Sequence, residues 1–136
     1  MTEKLYDKRT GLVLDEEAAA TAFDYPSFDE YQARARATAV YPRLRLDVDL
    51  GYVLLGLLGE AGELANKYKK ILRDKGGIVS AQDWEDLFDE LGDVLWYVSN
   101  IASELDADLG EVAKVNLKKL ESRQERGKLQ GDGDKR

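Results

Sequence analysis

A chain of 136 residues, 43% hydrophobic and 35% charged, is long enough to bury one core but not two, and its balance is that of a helical globular domain. A net charge of −7 argues against non-specific binding to nucleic acid or to anionic membranes; the absence of cysteine and histidine excludes disulfides, thiolate catalysis, histidine triads, the usual catalytic zinc sites and Glu-x-x-His di-iron bundles. The start, MTEKLYDKRT, lacks the apolar run of a signal peptide, and the longest apolar stretch, YVLLGLL, is too short to span a bilayer, so a cytoplasmic protein is expected.

Residues 1–26 carry mixed charge and a KRTG turn signal, and are expected to form a short irregular lead, with a hairpin as one option. Ser27 followed by Glu30 is a capping box that opens a helix over 27–40, with Phe28, Tyr31, Ala35 and Ala39 on one face and Pro42 as its stop. After the polar connection RLRLDVD, Asp49 can cap a long second helix over 50–74, closed by Gly76 and Gly77. Ser80 with Asp83 opens a third helix to about residue 105, and Asp108 with Glu111 a fourth to about 124. The remainder, ERGKLQGDGDKR, is glycine-rich and charged, which predicts a flexible tail. The fold class is therefore all-α, a four-helix bundle-like single domain spanning 1–136 with its core at about 27–125.

The second and third helices share an unusual feature. Glu60 and Glu63 are echoed by Glu90 and Asp93, each pair three residues apart and each enclosing a glycine, Gly62 or Gly92. At 100° per residue the acids stand at the edge of apolar stripes formed by Leu54, Leu57, Leu58, Ala61, Leu64, Ala65, Tyr68 and Leu72, and by Trp84, Leu87, Phe88, Leu91, Val94, Leu95 and Val98. Counted from Gly77, Glu63 lies 14 residues back and Glu90 13 forward, Glu60 17 back and Asp93 16 forward. If the two helices pack through these stripes, four carboxylates face one groove, with the glycines letting the backbones approach. At ~5 Å and an effective dielectric near 20, each like-charge pair costs roughly 3 kcal/mol, so a positive charge must offset it. An all-oxygen donor set selects hard divalent ions, Mg²⁺ first, with Mn²⁺ as its usual substitute.

The stretches GLLGEAGELANKYKK, DELGDVLWYVSNIA and NLKKLESRQERGKLQG together resemble the MazG-like family of all-α nucleoside triphosphate pyrophosphohydrolases, over about residues 28–130. That family's pattern is Glu-x-x-Glu, a spacer, then Glu-x-x-Asp, and the spacer here is 26 residues. The resemblance implies Mg²⁺-dependent cleavage of a nucleoside triphosphate between the α and β phosphates, with Glu60, Glu63, Glu90 and Asp93 as metal ligands. It also implies dimers or tetramers whose nucleotide pockets are built partly by a neighbouring chain. Many relatives carry a further acid immediately before the first glutamate, where this chain has Gly59.

Other positions join that reading. Asn116 falls on the inward face of the fourth helix, defined by Leu109, Val112, Ala113 and Leu120, and is followed by Lys119 and Arg123. Asn116 and Lys119 are expected on phosphate oxygens or metal-bound water, with Arg123 and Arg126 on the outer phosphates. Against this stands a satisfied core amide beside cations that favour a helix C-terminus. Lys67 and Lys70 continue the acid edge toward the triphosphate or are plain solvated lysines. Tyr97 and Asn100 can line a base or ribose pocket, with Trp96 packing at a subunit interface, and Tyr31, Gln32 and Thr38 resemble family positions near the nucleotide. Glu60 or Glu63 is the expected base that orients the attacking water. The alternatives are specialisation on dUTP, dCTP or modified nucleotides, and a catalytically silent, metal-binding helical module.

Overall fold

The computed structural model describes residues 25–42 and 46–128, and the side chains of all of these except 46 and 47. The lead expected over residues 1–24 and the tail beyond residue 128 lie outside the described residues. Within them the protein is all-α: α1 (Phe28–Ala37), α2 (Leu46–Lys75), α3 (Ala81–Glu104) and α4 (Leu109–Glu125).

Local chemistry accounts for two of the starts. At α1, the backbone N–H of Ser27 donates to Glu30 Oε2 at 2.7 Å while Glu30 N–H donates to Ser27 Oγ at 3.2 Å. At α3, Ser80 and Asp83 make the same reciprocal pair at 3.0 and 3.2 Å. α1 stops at Ala37, earlier than expected, because the N–H of Thr38 turns back to Ala35 O and its hydroxyl donates to the same carbonyl at 2.7 Å. α2 departs further from expectation. It begins at Leu46, and Asp49, expected as its cap, is instead buried within the first turns. Thirty residues at 1.5 Å each make α2 about 45 Å long. Gly76 and Gly77 end it at φ +59° and +83°, a left-handed turn that a β-carbon would strain.

α2 and α3 form an antiparallel hairpin, and among the described helices α2 packs on α3 alone. α1 lies against α3 and α4 at the far end of the hairpin, and the segment after α1 brings Ala39 and Tyr41 onto Val53. The seam between α2 and α3 runs along one edge of the apolar stripes, sharing Leu57, Leu64, Leu87 and Val94 with them, and not along their centres. From Val53 onward the buried and half-buried positions on α2 are Val53, Gly56, Leu57, Glu60, Leu64, Lys67 and Ile71, whereas Leu54, Leu58, Tyr68 and Leu72 are exposed. On α3 the seam follows Asp83, Leu87, Glu90, Val94, Tyr97 and Ile101, leaving Trp84, Phe88, Leu91 and Leu95 outside. Both helices are thus turned so that the acid edges meet, with Phe88 and Leu58 each 71% exposed on the flanks.

Gly56 explains the rotation. A β-carbon there would lie 2.1 Å from Cε1 of Tyr97, so only glycine admits the ring at that point of the seam. Gly62 and Gly92, the expected points of close approach, have open space where a β-carbon would go.

α4 is not capped as expected either. Asp108 makes no side-chain hydrogen bond, and the N–H of Leu109 donates to Gln32 Oε1 on α1 at 2.7 Å. The Gln32 amide nitrogen donates to Ala107 O at 2.9 Å and to Ser103 Oγ at 3.0 Å, so one side chain ties α1 to the end of α3 and the start of α4. A second tie is the Arg36–Glu104–Tyr41 cluster, in which Glu104 accepts from Arg36 and from the Tyr41 hydroxyl, each at 2.5 Å. Burial, reinforced by that bond, pushes the Tyr41 phenol up to about 12.

Gln32→Ala should lower the unfolding free energy by about 2–3 kcal/mol, because it orphans part-buried donors and acceptors on two elements. Asp108→Ala should cost less than about 0.5 kcal/mol, since it removes no bond. Urea denaturation compares the two, and equal losses would contradict the assignment of the cap to Gln32.

Across the α2–α3 turn, Lys75 Nζ lies 2.6 Å from Asp83 Oδ1. That bond first, and those to Ser80 next, pull the Asp83 carboxyl down to about 2. A depressed carboxylate stabilises the fold above its unfolded value of 3.8 and loses that contribution as the pH falls through about 2. Asp83→Asn should therefore flatten the acid limb of a thermal-unfolding profile between about pH 4 and about pH 2, with little change in slope above it.

Candidate metal centre

In the α2–α3 seam, Glu60 on one helix and Glu90 and Asp93 on the other bring one carboxylate oxygen each within 4.8 Å of one another. Glu90 is buried, Glu60 half-buried and Asp93 exposed, so the cluster opens to solvent at the Asp93 side. Glu63 is exposed and stands outside the cluster, one turn along α2 from Glu60. Glu63, three positions on, is carried about 60° round α2 from Glu60; Asp93 has the same offset from Glu90 and is likewise exposed, but its carboxylate reaches the cluster where that of Glu63 does not.

The electrostatics show a strain that a cation would relieve. Partial burial first, then the charges of Asp93, Glu63 and Glu90, and a hydrogen bond with the Glu90 carboxyl, push the Glu60 carboxyl up from its ordinary value. Lys67 answers part of this charge. Its Nζ lies 2.8 Å from Glu90 Oε1, and this bond first, then the charges of Glu90, Asp86 and Asp89, hold the ammonium to its proton more tightly than usual. All the converging donors are oxygens, the set a hard divalent ion takes, and Glu60, Glu90 and Asp93 would hold it.

Phenols rim the cluster. Tyr31, on α1, is pushed up by burial first and then by the Asp93 charge. Tyr97, against Gly56, is pushed up by burial and by Tyr52, Glu60 and Asp93. Trp96 stands edge-on to Tyr97 at 4.9 Å between ring centres, and its Nε1 donates to Thr38 Oγ1 at 2.8 Å. Trp96 and Thr38 thus brace α3 against the end of α1. Asn100 is fully buried, with its amide donating to Trp96 O at 3.0 Å, which places it behind the aromatic layer. Tyr52, which sequence reasoning left out, lies one turn before Gly56, and the 52-56-60 spacing that puts it on the acid edge was the available signal.

The cations expected around the phosphates are spread out. Lys67 is engaged with Glu90, while Lys70 is exposed on α2. Asn116 and Lys119 are exposed on α4 and line an open hollow of about 500 Å³ with Ala107, Glu111, Val112 and Val115; none of the four acids lines it. Val112 and Leu120, expected on the inward face of α4, are exposed as well, because among the described helices α4 meets only α1 and α3. Arg123 is buried, and Arg126 Nε donates to Ser122 O at 3.1 Å.

Comparison with known proteins decides the family. The model of the MazG nucleotide pyrophosphohydrolase domain matches residues 51–127, more than half of the chain. The protein belongs to the MazG family. It is also 53% identical over 112 residues to the "Gene 37 protein" of Mycobacterium phage L5, an alignment covering 79% of this chain and 97% of that protein. No solved structure gives a significant match. The MazG match takes in all four acids and the whole of α4, whereas α1, with Tyr31 and Gln32, precedes it.

Gly56→Ala should cost about 1–3 kcal/mol by driving Tyr97 out of the seam. Gly62→Ala, with open space around it, should gain about 0.5–1 kcal/mol from helix propensity. Thermal unfolding of the two variants checks the seam directly, and a destabilised Gly62→Ala beside a neutral Gly56→Ala would overturn it.

Proposed function

We propose that the protein is a Mg²⁺-dependent nucleoside triphosphate pyrophosphohydrolase, cleaving between the α and β phosphates to release a nucleoside monophosphate and pyrophosphate. The observation that carries this is the convergence of Glu60, Glu90 and Asp93 within 4.8 Å, on the helices of a MazG domain. Bound Mg²⁺, or Mn²⁺ in its place, supplies positive charge to the phosphate oxygens and makes water a better nucleophile at neutral pH.

The chain's own groups do the rest. Glu60, Glu90 and Asp93 would hold the ion, with Glu90 the most buried of the three. Glu63, outside the cluster yet one turn away and exposed, keeps its carboxylate free to orient the attacking water and accept its proton. The Tyr31 and Tyr97 phenols, beside Asp93, are placed to donate to a substrate oxygen or the sugar. Asn116 and Lys119 are assigned to phosphate oxygens, Arg123 and Arg126 to the outer phosphates, and Lys70 to the rim. The exposed stripes on α2 and α3 suit a homodimer or homotetramer, in which a second copy covers Leu54, Leu58, Leu91 and Leu95.

The test is an incubation of the purified protein with a panel of ribo- and deoxyribonucleoside triphosphates and Mg²⁺, dUTP and dCTP included, with products separated by anion exchange. Monophosphate plus pyrophosphate is expected, with oxygen from ¹⁸O-labelled water in the monophosphate. Diphosphate plus orthophosphate would overturn the cleavage site, and no hydrolysis with either ion would leave a silent helical module. Asp93→Asn should lower turnover by more than the about 10–100-fold that losing an outer-shell partner of a metal costs, with the helical circular dichroism intact.

A further inference from the structure

Lys67 stands four residues after Glu63 on α2, and its ammonium turns into the seam. Nζ lies 2.8 Å from Glu90 Oε1 and 3.5 Å from the backbone carbonyl of Asp86. The pair is asymmetric. The Glu90 side chain is 11% exposed and that of Lys67 36%, so a carboxylate sunk in the seam is paired with a cation that reaches it from the surface along an aliphatic stem.

The charges around that contact can be counted. Glu60, Glu90 and Asp93 share one small volume, Glu63 stands outside it, and Lys67 is bonded to one of the three. Three carboxylates and one ammonium leave two negative charges, which a single divalent ion neutralises. A second ion would turn the same volume strongly positive, with no further carboxylate in the cluster to hold it. The bond to Lys67 also occupies Glu90 Oε1, on the carboxylate that belongs to the cluster.

We propose that Lys67 is the resident counter-ion of the carboxylate cluster, a positioning residue that fixes Glu90 in the metal-free protein and limits the nucleotide-free site to one divalent cation. The proposal rests on the metal-dependent reading given above. In this role Lys67 works against the ion it makes room for. Its positive charge lowers repulsion among the acids when the site is empty and weakens the pull on an incoming cation when it is filled.

Titration calorimetry of the full chain with Mn²⁺ and no nucleotide, together with thermal unfolding in EDTA, tests this. The wild type should take one ion per protomer. Lys67→Met should bind Mn²⁺ about tenfold more tightly, since a like charge beside the ion is gone, and should melt at a lower temperature in EDTA. Lys67→Arg, which keeps the charge, should return both quantities toward the wild type. Two or more ions on the wild type, or unchanged or weaker binding by Lys67→Met, would overturn the counter-ion while leaving the metal reading in place. No binding by the wild type would overturn the metal reading and this inference with it.

Discussion

Like charges sit in the seam where α2 meets α3, and the neighbouring structure is arranged to keep them there. Carboxylates within 4.8 Å of one another repel by roughly 3 kcal/mol per pair at an effective dielectric near 20, which works to push the two helices apart. Opposing this are Val53 and Ile71, buried toward the two ends of the α2 seam face, the Tyr97 ring seated against Gly56, and the Lys67–Glu90 ion pair. The Gly76–Gly77 turn, locked by Lys75 and Asp83, keeps the two helices in register at one end. Repulsion held in check by packing would give a cation its purchase, because an ion would remove a cost that the fold already carries.

The other end of the hairpin is held by α1, which the family match does not include. Its hydrogen bonds run to three places: Thr38 to Trp96, Gln32 to the α3–α4 junction, and Arg36 to Glu104. Tyr41 stacks on Tyr52 at 5.1 Å and meets Trp96 edge-on at 6.4 Å, so an aromatic layer continues from this brace to Tyr97 at the carboxylates. That layer gives α1 a mechanical route to the acid cluster besides the proximity of Tyr31 to Asp93. Substitutions at Gln32 or Thr38 therefore bear on the geometry of the site without touching a ligand.

Much of this was legible from local rules. The Ser27–Glu30 and Ser80–Asp83 boxes depend on residues three positions apart and form as their spacing dictates. The matched spacing of Glu60, Glu90 and Asp93 about the glycine turn also survives folding. What the sequence concealed was the rotation of the helices about their own axes. Periodicity centred the packing face on the largest apolar residues, yet the seam keeps only Leu57 and Leu64 of that α2 stripe and adds Val53, Gly56, Glu60, Lys67 and Ile71, a line whose small and charged members gain their meaning only from Tyr97 and Glu90 opposite. Asp49 and Asp108 resembled caps because nothing nearby in sequence shows a helix extended upstream of one or a glutamine reaching in from α1 to the other. Glu63 read as equivalent to its three companions, yet it stands outside the cluster while Asp93, at the matching position on α3, is inside it, a difference no spacing shows.

The rotation also ties the chemistry to assembly. Turning the acid edges inward carries Leu54, Leu58 and Leu72 roughly 100° round α2, and Trp84, Phe88 and Leu91 a similar distance round α3, onto surfaces that no other described helix covers. A helix hairpin with charge in its seam and hydrocarbon exposed on its flanks leaves apolar area that a partner would bury, adding to the contacts that already oppose the repulsion. In the oligomer proposed above, a second copy on those flanks would press on the same two helices that carry Glu60, Glu90 and Asp93. The spacing of the carboxylates would then depend on the quaternary contact as well as on Gly56 and Lys67, so weakening the subunit interface would loosen the metal site even though none of its ligands had been touched.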